Sequence, residues 1–364
     1  MKKLKLGMVG LGHMARHHLV HIRRNPRIEL VAVCDRDPAV AATFDAPEAA
    51  RFPDTESLLA AGLAEAVLVS THHSDHWRTG RLILEGGLHL LMEKPLALNK
   101  GECEDLLAAH RDPHQVFAIM LNQRTDPRFR WAKALVDGGD LGDLMRVQWT
   151  ITDWFRTDAY FRQTPWFATW AGGGGLLMTQ ALHQLDLLIW LCGTPVRVRG
   201  HAHFGKWHDD IAVDDEVTAY MEFPGKATGV FITSTGETPG TNRLEICGDN
   251  GRIVIEGDRA EFERNAVPAS VLRRSATERT LAPQASLVTA PDTGKGGQHA
   301  EILDNFVAAV LDGAPLIAPA TQGMLSVELA NTILLSAIRG ETIELPLQSS
   351  RYQDAVADLM KTEA

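Results

Sequence analysis

The residues best suited to chemistry in this chain are a lysine, a histidine and an aspartate. Lys94 stands in Glu93-Lys94-Pro95, directly after the apolar run His89-Leu90-Leu91-Met92. Pro95 fixes its own φ and biases Lys94 towards extended backbone, which holds the ammonium at a strand end. A lysine there can hydrogen-bond an oxygen of a bound molecule, and partial desolvation lowers its pKa so that it can relay a proton. His183 and Asp186 are three apart in a helical pattern, so they share a face. Four glycines, Gly172 to Gly175, precede them, where backbone can come close to a ligand. A neutral imidazole can take a hydroxyl proton, and a nearby carboxylate can orient it and stabilise the imidazolium.

These groups need a scaffold, and the first forty residues define it. An apolar alternating run from Leu4 to Val9 leads into Gly10-x-Gly12-x-x-Ala15. A helical segment opening with His13 and Met14 follows, then a second apolar run, Leu30-Val31-Ala32-Val33-Cys34, ending in Asp35. Strand, glycine turn, helix, strand and acid is the order a dinucleotide-binding unit requires. Gly10 permits the tight turn, Gly12 lets backbone approach a pyrophosphate, and Ala15 lets the helix pack on the strand. The helix N-terminus offers free N–H groups to phosphate. Asp35 can accept from the 2′- and 3′-hydroxyls of a ribose, and its charge disfavours a 2′-phosphate, so the expected cofactor is NAD. Arg36 can hold that phosphate or stack on adenine, which keeps NADP open.

Strand and helix patterns alternate to about residue 120, as in a doubly wound parallel sheet. Beyond Met145 the apolar residues recur with period two, as in Val147 to Ile151, Val217 to Met221 and Arg252 to Ile255. The expected fold is α/β: an N-terminal Rossmann domain, residues 1–123, and a C-terminal α/β domain, residues 124–364, with a large, mostly antiparallel sheet. Helices are expected over about 124–137, 176–191, 299–311 and 321–339, and residues 266–297 read as irregular strand and loop. The 364 residues suffice for two such domains. A net charge of −10 without a basic run argues against nucleic acid or an anionic membrane as partner. No stretch approaches the ~18 consecutive apolar residues of a membrane span. The opening Met1-Lys2-Lys3 carries no apolar leader, and the four cysteines are scattered without CxxC spacing. Both features predict a reduced, cytoplasmic protein. His72, His73 and His76, and His201, His203 and His208, imply no metal-ligand geometry, and no metal is expected.

The glycine turn, Ser70-Thr71 with His76 downstream, Glu93-Lys94-Pro95, and the glycine run followed by His183-x-x-Asp186 together resemble the glucose–fructose oxidoreductase / inositol dehydrogenase / MocA family. The similarity extends over nearly the whole chain to Ile343-Glu344-Leu345-Pro346. It implies NAD(P)-dependent oxidoreduction of a sugar, sugar acid, cyclitol or glycoside, with the second sheet used for substrate binding and for homodimer or homotetramer contacts. Carried onto this sequence, it implies catalysis by Lys94, His183 and Asp186. Gly10, Gly12, His13, Met14, Asp35, Arg36, Thr71, His72, His76, Glu93 and Lys94 then bind the cofactor. Lys94, Arg124, Arg156, Trp166, Trp170, Thr179 and His183 bind substrate: aromatic planes suit sugar CH faces, and Arg124 or Arg156 can grip a carboxylate or phosphate. Many family members have Asp where Thr179 stands, four residues before the histidine. Thr is no general base, though it can hydrogen-bond a substrate hydroxyl. Two other readings share the same scaffold: a glycosidase-type enzyme that oxidises C3 transiently with tightly bound NAD, and a non-catalytic nucleotide sensor.

Overall fold

The computed structural model describes residues 2–291 and 294–363, which fold as two compact units. The first comprises Met1–Thr125 and Gly297–Val327, the second Asp126–Gly296 and Glu328–Ala364.

The first unit is built on six parallel strands: β1 (Leu4–Val9), β2 (Ile28–Cys34), β3 (Ala50–Phe52), β4 (Ala66–Val69), β5 (His89–Met92) and β6 (Phe117–Ile119). Their order is β3-β2-β1-β4-β5-β6, with a switch between β1 and β4. That is the expected doubly wound sheet. Strand β4 is buried throughout, which fits a continuous apolar run rather than alternation. The helix His13–Arg24 buries Ala15, His18, Leu19 and Ile22, the spacing of one helical stripe. Short polar caps start the next helices: Asp37, Asp54 and Asn99 accept from the backbone N–H groups of Ala39, Ser57 and Glu102.

The first unit does not end near residue 123. The helix Gln298–Asp312 packs against His13–Arg24, with Ile302, Leu303, Phe306 and Val307 buried. Arg27 holds Asp312 through two hydrogen bonds of 2.7 Å, Asn25 donates to Asp304, and Ala118 bridges Pro319. The expected single C-terminal block, 124–364, is corrected accordingly: Gly297–Val327 belongs with the first unit. An amphipathic helix shows that one face is buried, but its period does not reveal against which sheet.

The second unit carries nine strands: β7 (Leu144–Ile151), β8 (Arg197–Phe204), β9 (Asp214–Glu222), β10 (Thr228–Ser234), β11 (Asn242–Gly248), β12 (Gly251–Glu256), β13 (Arg259–Asn265), β14 (Ala285–Thr289) and β15 (Ile343–Glu344). Their order is β14-β13-β12-β11-β7-β10-β9-β8-β15. The pairs are antiparallel except β7 with β10. Trp149, Phe231, Ile246 and Phe262 lie on the buried face. Among the described residues of 266–297, strand appears as β14, and the helix Ala269–Ser275 was not expected; residues 292 and 293 lie outside the described residues. The expected helix 176–191 is broken into Leu176–Thr179 and Leu182–Cys192.

Candidate active site

The glycine turn of the first unit is shaped as its residues require. Gly10 has φ +84°, and a Cβ there would lie 2.6 Å from the Thr71 nitrogen. Ser70 Oγ closes the turn by donating to the Gly10 carbonyl. Gly12 differs: a Cβ there would meet nothing within 4 Å, so the space before the first helical N–H groups is open. Asp35 is fixed by accepting from Leu11 N–H (2.7 Å) and Asp37 N–H (2.9 Å). Each oxygen keeps a lone pair for a ribose hydroxyl. Gly12, Asp35, Arg36, Thr71 and His72 all line one cavity of about 470 Å³. Arg36 reaches across it to Asp75 at 3.2 Å. His13 is exposed and Met14 half-buried on the first helical turn.

Glu93 and His76 turn inward, away from the direct cofactor contact expected of them. Glu93 is 6% exposed. One of its oxygens meets His18 Nε2 at 2.6 Å and the other accepts from Lys94 N–H at 3.1 Å. Burial alone would raise this carboxyl, but the His18 hydrogen bond and the charges of His18, His299 and Lys94 bring it down to about 2. His76 is fully buried between two carbonyls, Pro95 O at 2.6 Å and Thr71 O at 3.3 Å. Burial lowers its pKa, against the pull of those carbonyls. A neutral imidazole carries one N–H, and the shorter contact assigns it to Nδ1 donating to Pro95. Both side chains brace the backbone around Lys94, whose bond to Pro95 is cis. Lys94 is half-buried; burial lowers its ammonium pKa and Glu93 opposes the shift.

His18 was not singled out from the sequence, although a histidine within an apolar helical stripe demands a buried partner. Arg124 is corrected outright. It is 3% exposed and donates to Ile317 O and Gln322 Oε1, so its guanidinium is absorbed within the first unit rather than offered to a substrate.

In the second unit His183 is half-buried on the helix Leu182–Cys192, and Asp186 is 2% exposed one turn on. The glycine run before them serves internal packing. A Cβ on Gly172 would lie 2.2 Å from Trp166 O, and one on Gly174 2.1 Å from Phe167 O. Gly175 has φ +88° and presses on Asp214, whose Oδ2 accepts from Leu177 N–H at 2.8 Å. Asp214, absent from the sequence reading, thereby anchors the first turn leading to His183. Burial pushes it up to about 7, although the backbone N–H bonds draw it down.

Thr179 is buried, and its hydroxyl donates to Gly175 O at 2.6 Å. That hydrogen is used within the helix, so Thr179 can only accept from a ligand. Trp170 is 7% exposed and packs on Phe204, so it is a packing residue and not the stacking plane expected. Trp166 stays half-buried against Phe167. Arg156 lies 5.3 Å from the Trp154 ring and 5.0 Å from the Tyr160 ring.

The sheet order and the glycine-turn cavity define a dinucleotide-binding protein of the Rossmann class. The chain belongs to the GFO/IDH/MocA oxidoreductase family: residues 4–120 match its model for an oxidoreductase family with NAD-binding Rossmann fold, and residues 129–254 match the GFO/IDH/MocA C-terminal domain. The 1-carboxy-3-chloro-3,4-dihydroxycyclohexa-1,5-diene dehydrogenase of Comamonas testosteroni is 30% identical over 225 residues, 60% of this chain and 55% of that relative, so the match spans just over half of its length. Inositol 2-dehydrogenase of Rhizobium meliloti is 22% identical over 347 residues, 94% of this chain and 99% of the relative. The WlbA dehydrogenase from Bordetella pertussis, solved with NADH and UDP-GlcNAcA, superposes with a TM-score of 0.82 at 23% identity, covering 96% of this chain and 99% of that one. That likeness establishes the fold. The first unit is an NAD-binding domain. No helix of the described residues is long and apolar enough to cross a membrane.

Proposed function

We propose that this protein is an NAD-dependent dehydrogenase that oxidises a secondary hydroxyl of a sugar, sugar acid or cyclitol. The observation that carries the reading is Lys94: a half-buried lysine of lowered pKa, braced through Glu93 by His18 and through Pro95 by His76. A lysine held so firmly at the carboxyl end of β5 suits the positioning of a reacting oxygen.

Bound NAD, held by the Gly10–Gly12 turn, the helix start at His13 and Asp35, would accept the two electrons and one proton leaving the alcohol carbon. The open space at Gly12 fits a pyrophosphate there. Lys94 holds the substrate oxygen and steadies its negative charge as the proton departs. His183 takes that hydroxyl proton as a neutral imidazole. Asp186, buried one turn on along the same helix, supplies a negative charge that favours the imidazolium. Supporting this reading, dehydrogenases stand among the relatives of the family, and the named substrates of those above are hydroxylated rings.

Initial rates against sugars, uronates, inositols and their glycosides, with NAD and with NADP, test it. Steady reduction of NAD by at least one compound is expected. Binding of NADH without turnover of any would refute the proposal. NAD that co-purifies, is never released and accompanies glycoside cleavage would replace it with the transient-oxidation enzyme.

A further inference from the structure

The segment after β7 contains two buried donors whose hydrogens meet no acceptor among the described residues. Trp154 Nε1 and Arg156 Nε have no hydrogen-bond partner among the described residues. The guanidinium uses Nη1 on the neighbouring Phe155 carbonyl and also meets the Tyr160 hydroxyl, which leaves its Nε hydrogen unengaged. The nearby acids are committed elsewhere: Asp158 meets His208 at 2.8 Å, and Asp153 accepts from Asn242. A buried N–H without an acceptor is costly, and two of them side by side with one positive charge call for an anion.

The packing of this cluster points the same way. Arg156 lies over both the Trp154 and Tyr160 rings, Tyr160 stacks on Phe167 at 5.2 Å, and Gln180 Nε2 donates to the Tyr160 oxygen at 2.8 Å. The Tyr160 hydroxyl also hydrogen-bonds Arg156 and Thr179, and burial keeps the phenol protonated by raising its pKa. Gln180 adjoins Thr179 and precedes His183 by three residues, so the cluster joins directly to the helix that carries the proposed base. Thr179 itself carries no charge that would repel an acid there.

We propose that Arg156 and Trp154 form a carboxylate receptor, and that the substrate is a hydroxy acid of the uronate class rather than a neutral polyol. The planar guanidinium edge matches the two oxygens of a carboxylate, and the indole N–H adds a second direction of approach. This deepens the dehydrogenase reading and rests on it for the identity of the reaction, though not for the binding.

The test compares matched pairs, a hexose and its uronic acid, with the full-length protein. Uronate affinity in the presence of NADH is measured by calorimetry, and kcat/KM with NAD is measured alongside. The wild type is expected to favour the uronate by at least about tenfold, because a site built around hydrogen-bond donors rejects an analogue that cannot fill them. Arg156→Ala is expected to lower the uronate-to-hexose ratio by about 100-fold, and Trp154→Phe, which keeps the packing ring and loses only the N–H, by about tenfold. Arg156→Lys restores charge without the fork and should recover only part of the ratio. Equal losses on both members of each pair, or no acid preference in the wild type, overturn the receptor. Arg156-dependent uronate binding without oxidation of either compound would sustain the receptor and sink the dehydrogenase. Oxidation without acid preference would do the reverse, and absence of both binding and turnover would reject the receptor as well.

Discussion

His18 and Glu93 are 75 residues apart in sequence and meet at 2.6 Å in the interior of the first unit. Their bond ties the helix that follows the glycine turn to the strand end that presents Lys94. The place expected to hold the cofactor's phosphates and the place expected to hold the reacting oxygen are therefore braced together.

Removing His18 should expose how much rests on that bond. His18→Ala leaves a buried carboxylate without its partner and should destabilise the fold by about 3–5 kcal/mol in denaturant titrations. A cost below about 1 kcal/mol would show that the pair contributes little. The bond also has a pH signature. Glu93 is held down to about 2, so its contribution is present above the usual carboxylate range and fades as pH falls towards that value. Glu93→Gln should flatten this acid limb of the stability curve.

Asp214 should act in the opposite sense. Its pKa is raised to about 7, so the folded state holds the proton more tightly than the unfolded chain does. The contribution is complete below the unfolded value and is lost as pH rises through about 7. His299, lowered to about 4 by burial and neighbouring imidazoles, gains stability over part of the same range, so the difference between variants is the useful quantity. The Tm of Asp214→Asn minus that of the wild type should increase between about pH 5 and pH 8. A constant difference would contradict the assignment.

The two turn glycines should separate folding from binding. Gly10→Ala places a Cβ 2.6 Å from Thr71 N at φ +84° and should cost upwards of ~2 kcal/mol in stability. Gly12→Ala points a methyl into open space, so thermal stability should hold while NADH affinity falls by about tenfold or more. Equal effects of the two substitutions on stability would undo this distinction.

Cofactor preference should respond to Asp35. Asp35→Asn keeps an acceptor for Leu11 N–H but removes the charge, and with Arg36 beside it the kcat/KM ratio of NADP to NAD should rise by about tenfold. An unchanged ratio would place the discrimination elsewhere in the cavity.

Much of this architecture was legible in the sequence, for physical reasons that also mark the limits. The Gly10 turn could be read because only glycine tolerates that φ and that approach of Thr71. Buried strands such as β4 announce themselves as short apolar runs, whereas β3, three residues long with Arg51 at its centre, carries no such signal. Arg124 looked like an anion ligand because guanidinium is rarely buried. It is buried here because Ile317, 193 residues later, returns a carbonyl to it. No local pattern encodes such a contact. The glycines from Gly172 looked like room for a ligand, but three of them make room for Trp166, Phe167 and Asp214. Composition signals closeness without naming what comes close. His18 was the residue whose signal was present and went unread.

The most direct test of the account is the rate of NAD reduction by Lys94→Ala, measured with the best substrate of the wild-type screen and beside NADH affinity. A positioned lysine that steadies the substrate oxygen's negative charge as the proton departs predicts a fall of about 10²–10⁴-fold in kcat/KM, with NADH affinity changed far less. A rate equal to that of the wild type would contradict the central claim that the Glu93-Lys94-Pro95 strand end is where this protein does its chemistry.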